Sequence, residues 1–132
     1  MQINHLAVLA CTAMNLLIGA IWYSPALFFK PWMRANGFTE EDLKRFSPAK
    51  TYSITLVLSL VICYSLAFFL ADGSTTAAWG ATAGFLAGFT FSAMIFSVVA
   101  LFEQRSLSYM LINGGYMTVY FTLAGLILGA WR

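Results

Sequence analysis

Four runs of apolar residues, each about as long as a bilayer core is thick, constrain this chain more than any other feature. They extend from about Asn4 to Ser24, Pro48 to Ala71, Ala77 to Phe102 and Leu107 to Trp131. A helix rises 1.5 Å per residue, so roughly 20 residues cross a hydrocarbon core of about 30 Å. Only 9% of the residues are charged and 61% are hydrophobic, against about 25% charged in ordinary soluble domains. A soluble fold of this size has no interior large enough to hide that much apolar surface. The expectation is an all-α integral membrane protein. Residues 1–132 form a single transmembrane domain, an antiparallel four-transmembrane-helix bundle. A short interfacial and cytoplasmic helix lies in the loop 26–47, between spans 1 and 2. The first run lacks a basic leading segment and is longer than the apolar part of a signal peptide, so it reads as a retained helix.

The breaks between runs carry helix-start and helix-stop chemistry. Pro25 disfavours helical geometry at Ser24. The segment from Ala26 to Ala35 mixes Phe28, Phe29, Trp32 and Met33 with Lys30 and Arg34, as a stretch lying in the interface would, and Asn36-Gly37 closes it. Thr39 stands as an N-cap ahead of Glu40, Glu41 and Asp42, with Lys44 and Arg45 behind, an order that suits the helix dipole. Ser47-Pro48 repeats the start signal for the second span. The link from Glu103 to Ser106 is so short that spans 3 and 4 must be antiparallel neighbours.

Basic residues fix an expected topology. Lys30, Arg34, Lys44, Arg45 and Lys50 fall in the first loop and Arg105 in the third, leaving only Arg132 on the other side. By the positive-inside rule both termini face outward across a plasma membrane, the inner membrane if the cell is bacterial. Trp22 and Trp32 then mark the inner interface, Trp79 and Trp131 the outer one. A net charge of +2, concentrated in one loop, leaves no footprint for nucleic acid. Cys11 and Cys63 sit inside apolar runs and read as small hydrophobes rather than a disulfide.

Projected at 100° per residue, polar and small residues gather into stripes. Span 1 carries Asn4, Cys11, Asn15 and Trp22; span 2 carries Tyr52, Thr55, Ser59 and Cys63. Span 3 carries Gly80, Gly84, Gly88 and then Ser92, a spacing that lets another backbone approach closely. Span 4 has Asn113, Tyr116 and Tyr120 on one side, with Thr118, Thr122, Gly125 and Gly129 on the other. A helix with two protein-facing sides sits centrally or between subunits, and so much small-residue surface predicts a homo-oligomer.

Polar groups also collect at the cytoplasmic end. Trp22, Tyr23, Ser24, Lys50, Glu103, Arg105, Asn113 and Tyr116 are candidates for a polar pocket in which Lys50 and Arg105 attract an anion. The plainer alternative is that the charged members occupy a wet interface. Asn15, near the midplane, either lines a pathway or serves as interhelical glue. Lys30, Trp32 and Arg34 are candidates for lipid headgroups. No Asp, Glu, Lys or Arg lies deep in any span, so a proton relay has no candidate residue. His5 is the single histidine and has no acid near it in sequence, so neither a metal site nor a cofactor is expected. No nucleophile, base and orienting group can be assembled, so no enzyme activity is expected either.

Four stretches together point to a family: Trp22-Tyr23-Ser24-Pro25, Asn36 to Leu43 (NGFTEEDL), Ser47-Pro48-Ala49-Lys50, and Leu111-Ile112-Asn113-Gly114-Gly115-Tyr116. With the Phe102-Glu103-x-Arg105 link they resemble the domain-of-unknown-function family numbered 1761, small bacterial and fungal membrane proteins. The resemblance covers nearly the whole chain. Ser47 stands where that family often has Asn, and Met117 where it often has a longer polar residue. The resemblance implies a four-span membrane protein and lends no activity. The residues themselves favour a homo-oligomeric channel or transporter for a small solute or ion. The alternative is a non-catalytic lipid-binding or accessory protein whose partner is membrane lipid.

Overall fold

The computed structural model describes residues 2–132. Asn4 caps the first span, His5–Trp22, and its side-chain oxygen accepts from the backbone N–H groups of Leu6 and Ala7 at 3.0 and 3.2 Å. Ahead of Pro25 the helix stops, and a turn leads into an interfacial helix, Phe29–Asn36. Gly37 ends that helix at φ 67°, a left-handed conformation open to glycine at little cost. Thr39 and Asp42 cap the short helix Glu40–Lys44 reciprocally. Ser47 caps the second span, Pro48–Phe69. The third span runs Ala77–Phe102 and the fourth Leu107–Ala130, opened by the caps Thr76 and Ser106. All four spans are long and apolar enough to cross a membrane. Among the described residues there is no strand.

Side-chain partners give the directions. Along the first span, Cys11, Asn15 and Trp22 meet Ala124, Tyr116 and Ile112 in turn, so spans 1 and 4 are antiparallel. His5 meets Tyr64 and Asn15 meets Ser59, so spans 1 and 2 are antiparallel too. The fourth span is central, with the third on one side and the first on another, while the first also packs on the second. A core of Ala7, Val8, Cys11, Cys63, Leu66, Leu70, Tyr120, Ala124 and Leu128 fills the half of the bundle nearer the chain termini. Leu17, Val61 and Ile95 are each more than 60% exposed, the outward apolar surface that lipid rather than water would cover.

Spans 3 and 4 meet backbone to backbone. A Cβ added to Gly80 would strike the carbonyl oxygen of Gly125, and one added to Gly84 that of Phe121. At Gly88 it would lie 2.7 Å from both the Met117 oxygen and Phe121 Cβ. The glycine stripe of span 3 therefore has its partner within the chain, in the Thr122, Gly125 and Gly129 side of span 4. That contact accounts for the small-residue surface that suggested a homo-oligomer.

One position in the stripe shifts. Leu86–Ala93 form a π-helical segment, and the Ser92 hydroxyl donates to the carbonyl of Ala87, five residues back. Gly80, Gly84 and Gly88 are buried, and the next buried residue is Ala93, with Ser92 only half-buried. In an α-helix each four-residue step overshoots a full turn by roughly 40°. The wider π turns cancel that drift and move the seam by one residue.

Candidate functional site

On the other side of span 4, side chains instead of backbones make the contact. Trp22 Nε1 donates to the Ile112 carbonyl at 2.8 Å, and the Tyr23 hydroxyl donates to Asn113 Oδ1 at 2.6 Å. Asn113 Nδ2 turns back to the Tyr109 carbonyl of its own helix. Deeper, the Tyr116 hydroxyl donates to Asn15 Oδ1, and Asn15 Nδ2 donates to Ser59 Oγ at 2.6 Å. Below these, Tyr120 Oη and Cys63 Sγ are 2.8 Å apart, and Cys11 Sγ donates to the Ala124 carbonyl at 3.7 Å. Tyr116 and Tyr120 stack at 6.4 Å, one helical turn apart. The result is a ladder of neutral groups joining spans 1, 2 and 4. Among the described residues every buried side-chain nitrogen and oxygen has a partner, as a hydrocarbon surrounding demands.

Above Asn15 the first two spans separate, leaving a groove of about 360 Å³ open on one side. Asn15, Tyr116 and Thr55 supply its polar groups, Gly19 and Ala20 a low wall, and Tyr23, Trp32, Phe46 and Tyr52 an aromatic rim. Trp32 meets Tyr23 edge-on at 5.9 Å, and Phe46 meets Tyr52 at 6.3 Å and 84°. Among its lining residues none is charged. Such a surface suits a ligand with a flat apolar body and a neutral hydrogen-bonding end.

Of the expected pocket residues, Tyr23 and Tyr116 line the groove and Asn113 bonds to Tyr23, whereas Trp22, bonded to Ile112, lines a separate crevice beside span 3 and the others stand apart. The Ser24 hydroxyl caps its own helix by donating to the Ile21 carbonyl at 2.6 Å. Lys50 and Glu103 are exposed, and Arg105 lies over the Tyr109 ring, 4.6 Å from its centroid. The expected anion pocket is thus not assembled. Long charged side chains keep their heads in the wet interface because the desolvation cost of following the ring groups inward is several kcal/mol. The expected headgroup set also divides: Lys30 and Arg34 are exposed, while Trp32 turns into the groove.

Asn15 is 6% exposed and bonded through both its amide nitrogen and its amide oxygen to spans 2 and 4, so it joins the helices, and one side of it also reaches the groove. Tyr52 and Thr55, expected against protein, line the groove because the two spans part there. Gly19, Thr51 and Phe46 escaped the sequence reading. The available signal was the four-residue spacing of Asn15, Gly19 and Tyr23 on one helix face. His5 Nδ1 pairs with the Tyr64 hydroxyl at 3.0 Å. Among the described residues no three His, Cys, Asp or Glu side chains gather as a metal site would require.

Four spanning helices and a neutral aromatic groove define a multi-pass helical membrane protein. Residues 6–129 match the family described as "Protein of unknown function (DUF1761)", and the chain belongs to that family. No curated protein and no solved structure matches it.

Proposed function

We propose that the protein binds a small, uncharged, amphipathic molecule in the groove between spans 1 and 2, as the entry chamber of a small-solute pathway. The observation that carries this reading is the uncharged aromatic groove ending on the bonded pair Asn15 and Tyr116. A charged solute would leave water without a counter-charge in return, whereas a neutral one exchanges water for ring surface and one or two hydrogen bonds. The groove is complete within one chain, so binding does not require a second copy. By the positive-inside rule its mouth faces the cytoplasm, beside Lys30, Arg34, Lys44, Arg45 and Lys50.

Gly19→Leu tests it. A Cβ at Gly19 makes only ordinary contact with Tyr116, 3.8 Å from its ring and 3.9 Å from its hydroxyl, so the longer side chain fills the groove beside the ladder. Small molecules extracted from purified wild type and variant are compared by mass spectrometry, with thermal unfolding as the check on folding. An uncharged amphipathic compound present in the wild type and depleted in the variant supports the reading, and flux of that compound into proteoliposomes then tests the pathway. Identical extracts from two equally stable proteins overturn it.

A further inference from the structure

A second crevice lies on a different face of span 4. Between spans 3 and 4 an apolar groove of about 610 Å³ has Phe85, Phe89 and Met94 on one wall, Leu111 and Val119 on the other, and Trp22 of span 1 beside them. Gly114 and Gly115 also line it, and Ala93 and the Trp22 ring pack closely against them. The Phe85 and Phe89 rings stack at 5.3 Å and 17°. Residues 85, 89, 93 and 97 all line it, a four-residue repeat kept on one face by the π segment. From Leu107 to Val119 the groove follows span 4 for about 18 Å, at 1.5 Å per residue. That is close to one leaflet, half of a core of roughly 30 Å.

At its basic end stands a polar crevice lined by Pro31, Arg34, Ala35, Ser106 and Ser108. Ser108 lies one turn before Leu111 and two turns before Gly115 on the same side of span 4. The polar crevice therefore stands at the Leu107 end of the apolar groove, with Ser106 and Ser108 on either side of Leu107 in the chain. Arg34 and Ser108 are exposed there, and Lys30 is exposed one turn from Arg34 on the interfacial helix.

We propose that these two crevices form one site for an anionic glycerophospholipid, its phosphate at Arg34 and Ser108 and one acyl chain along the span 3 and span 4 groove. Three features select this occupant: an apolar channel one leaflet deep, lateral opening along helices that span the membrane, and a cation with hydroxyl donors at the headgroup level. The site is independent of the neutral groove, since it uses another face of span 4 and a charged mouth.

The test uses the full chain in detergent with equimolar phosphatidylglycerol and phosphatidylcholine of identical tails, read by native mass spectrometry. The expected result is one retained lipid per chain with phosphatidylglycerol preferred. Arg34→Gln should reduce that preference about fivefold, the effect of one basic residue at a lipid surface. Lys44→Gln removes the same charge from the loop helix and should leave the preference intact. Val119→Trp fills the groove and should lower retention of both lipids while circular dichroism reports an unchanged fold. Equal retention of the two lipids by the wild type overturns the proposal. So does an Arg34→Gln preference equal to the wild type's, or displacement of the lipid by millimolar inorganic phosphate, which would mark a site that holds only the phosphate.

Discussion

Span 4 makes two kinds of interface, and they fail to resemble each other. Toward span 3 it offers Gly125 and Gly129, and the two backbones touch. Toward spans 1 and 2 it offers Asn113, Tyr116 and Tyr120, whose side chains hold the helices apart and bond across the gap. From Gly80 to Gly88 the small residues give a seam in which backbone lies on backbone. Large polar aromatics give a joint that is closed around Cys11 and Cys63 and open beside Gly19 and Ala20, where spans 1 and 2 part. In a membrane both solutions are available because packing and hydrogen bonding, rather than exclusion of water, drive helix association. Only the second leaves a cavity with polar groups facing into it.

The contrast is broken most severely at the seam. Gly84→Leu should destabilise the protein by about 3 kcal/mol, because the new atoms meet the Phe121 backbone, which cannot step aside. Gly19→Ala, on the open side, should instead change stability by less than about 1 kcal/mol and in the favourable direction, since helix propensity improves and only ordinary contact with Tyr116 is made. Denaturant titration in mixed micelles followed by circular dichroism measures both. Comparable losses at the two glycines would erase the distinction between the interfaces.

Next in size is the register of the π segment. Ala93→Leu should cost about 2 kcal/mol, since Ala93 is 3% exposed and its Cβ lies 3.3 Å from where a Cβ on Gly114 would sit. Ser92→Leu should cost clearly less, and the reverse order would show that the span is α-helical throughout.

Asn15→Leu removes the bonds to Ser59 and Tyr116 together, and about 1.5 kcal/mol should be lost. Tyr23→Phe removes one bond nearer the interface and should cost about 0.6 kcal/mol. A double-mutant cycle on Tyr23 and Asn113 would show whether that energy belongs to the pair, and additive single effects would deny it.

The smallest effect lies in the loop between spans 2 and 3. Backbone and hydroxyl donors of Ser74 hold the Asp72 carboxyl below its ordinary range. A group whose folded value is depressed stabilises the fold above its unfolded value and loses that contribution as pH falls through the folded one. Hydrogen exchange at the Ser74 amide should therefore be slow near neutrality relative to its intrinsic rate. Its protection should decline only below the usual carboxylate range of about 3.9. Protection that declines at or above that value would contradict the assignment.

How much of this was legible in the sequence depends on the range of the interaction. The four apolar stretches, the caps at Thr39 and Ser47 and the stop at Gly37 follow from local chemistry, and the helices begin or end at those residues. The two sides of span 4 were also legible, because helical periodicity sorts residues into faces without knowledge of their neighbours. Three things were not. The π segment changes the period that the projection assumed, moving burial from Ser92 to Ala93. The expected pocket mixed ring groups with Lys50, Glu103 and Arg105 because sequence gives depth along a helix but not whether a long cationic side chain turns inward or back to water. The groove depends on where spans 1 and 2 diverge, a property of three helices at once. The sequence by itself determined the spans and their faces, since these need only length, hydropathy and periodicity. The tertiary structure alone decided which faces meet, which partner the glycines take and where space remains, since those depend on shapes packed across chain-distant helices.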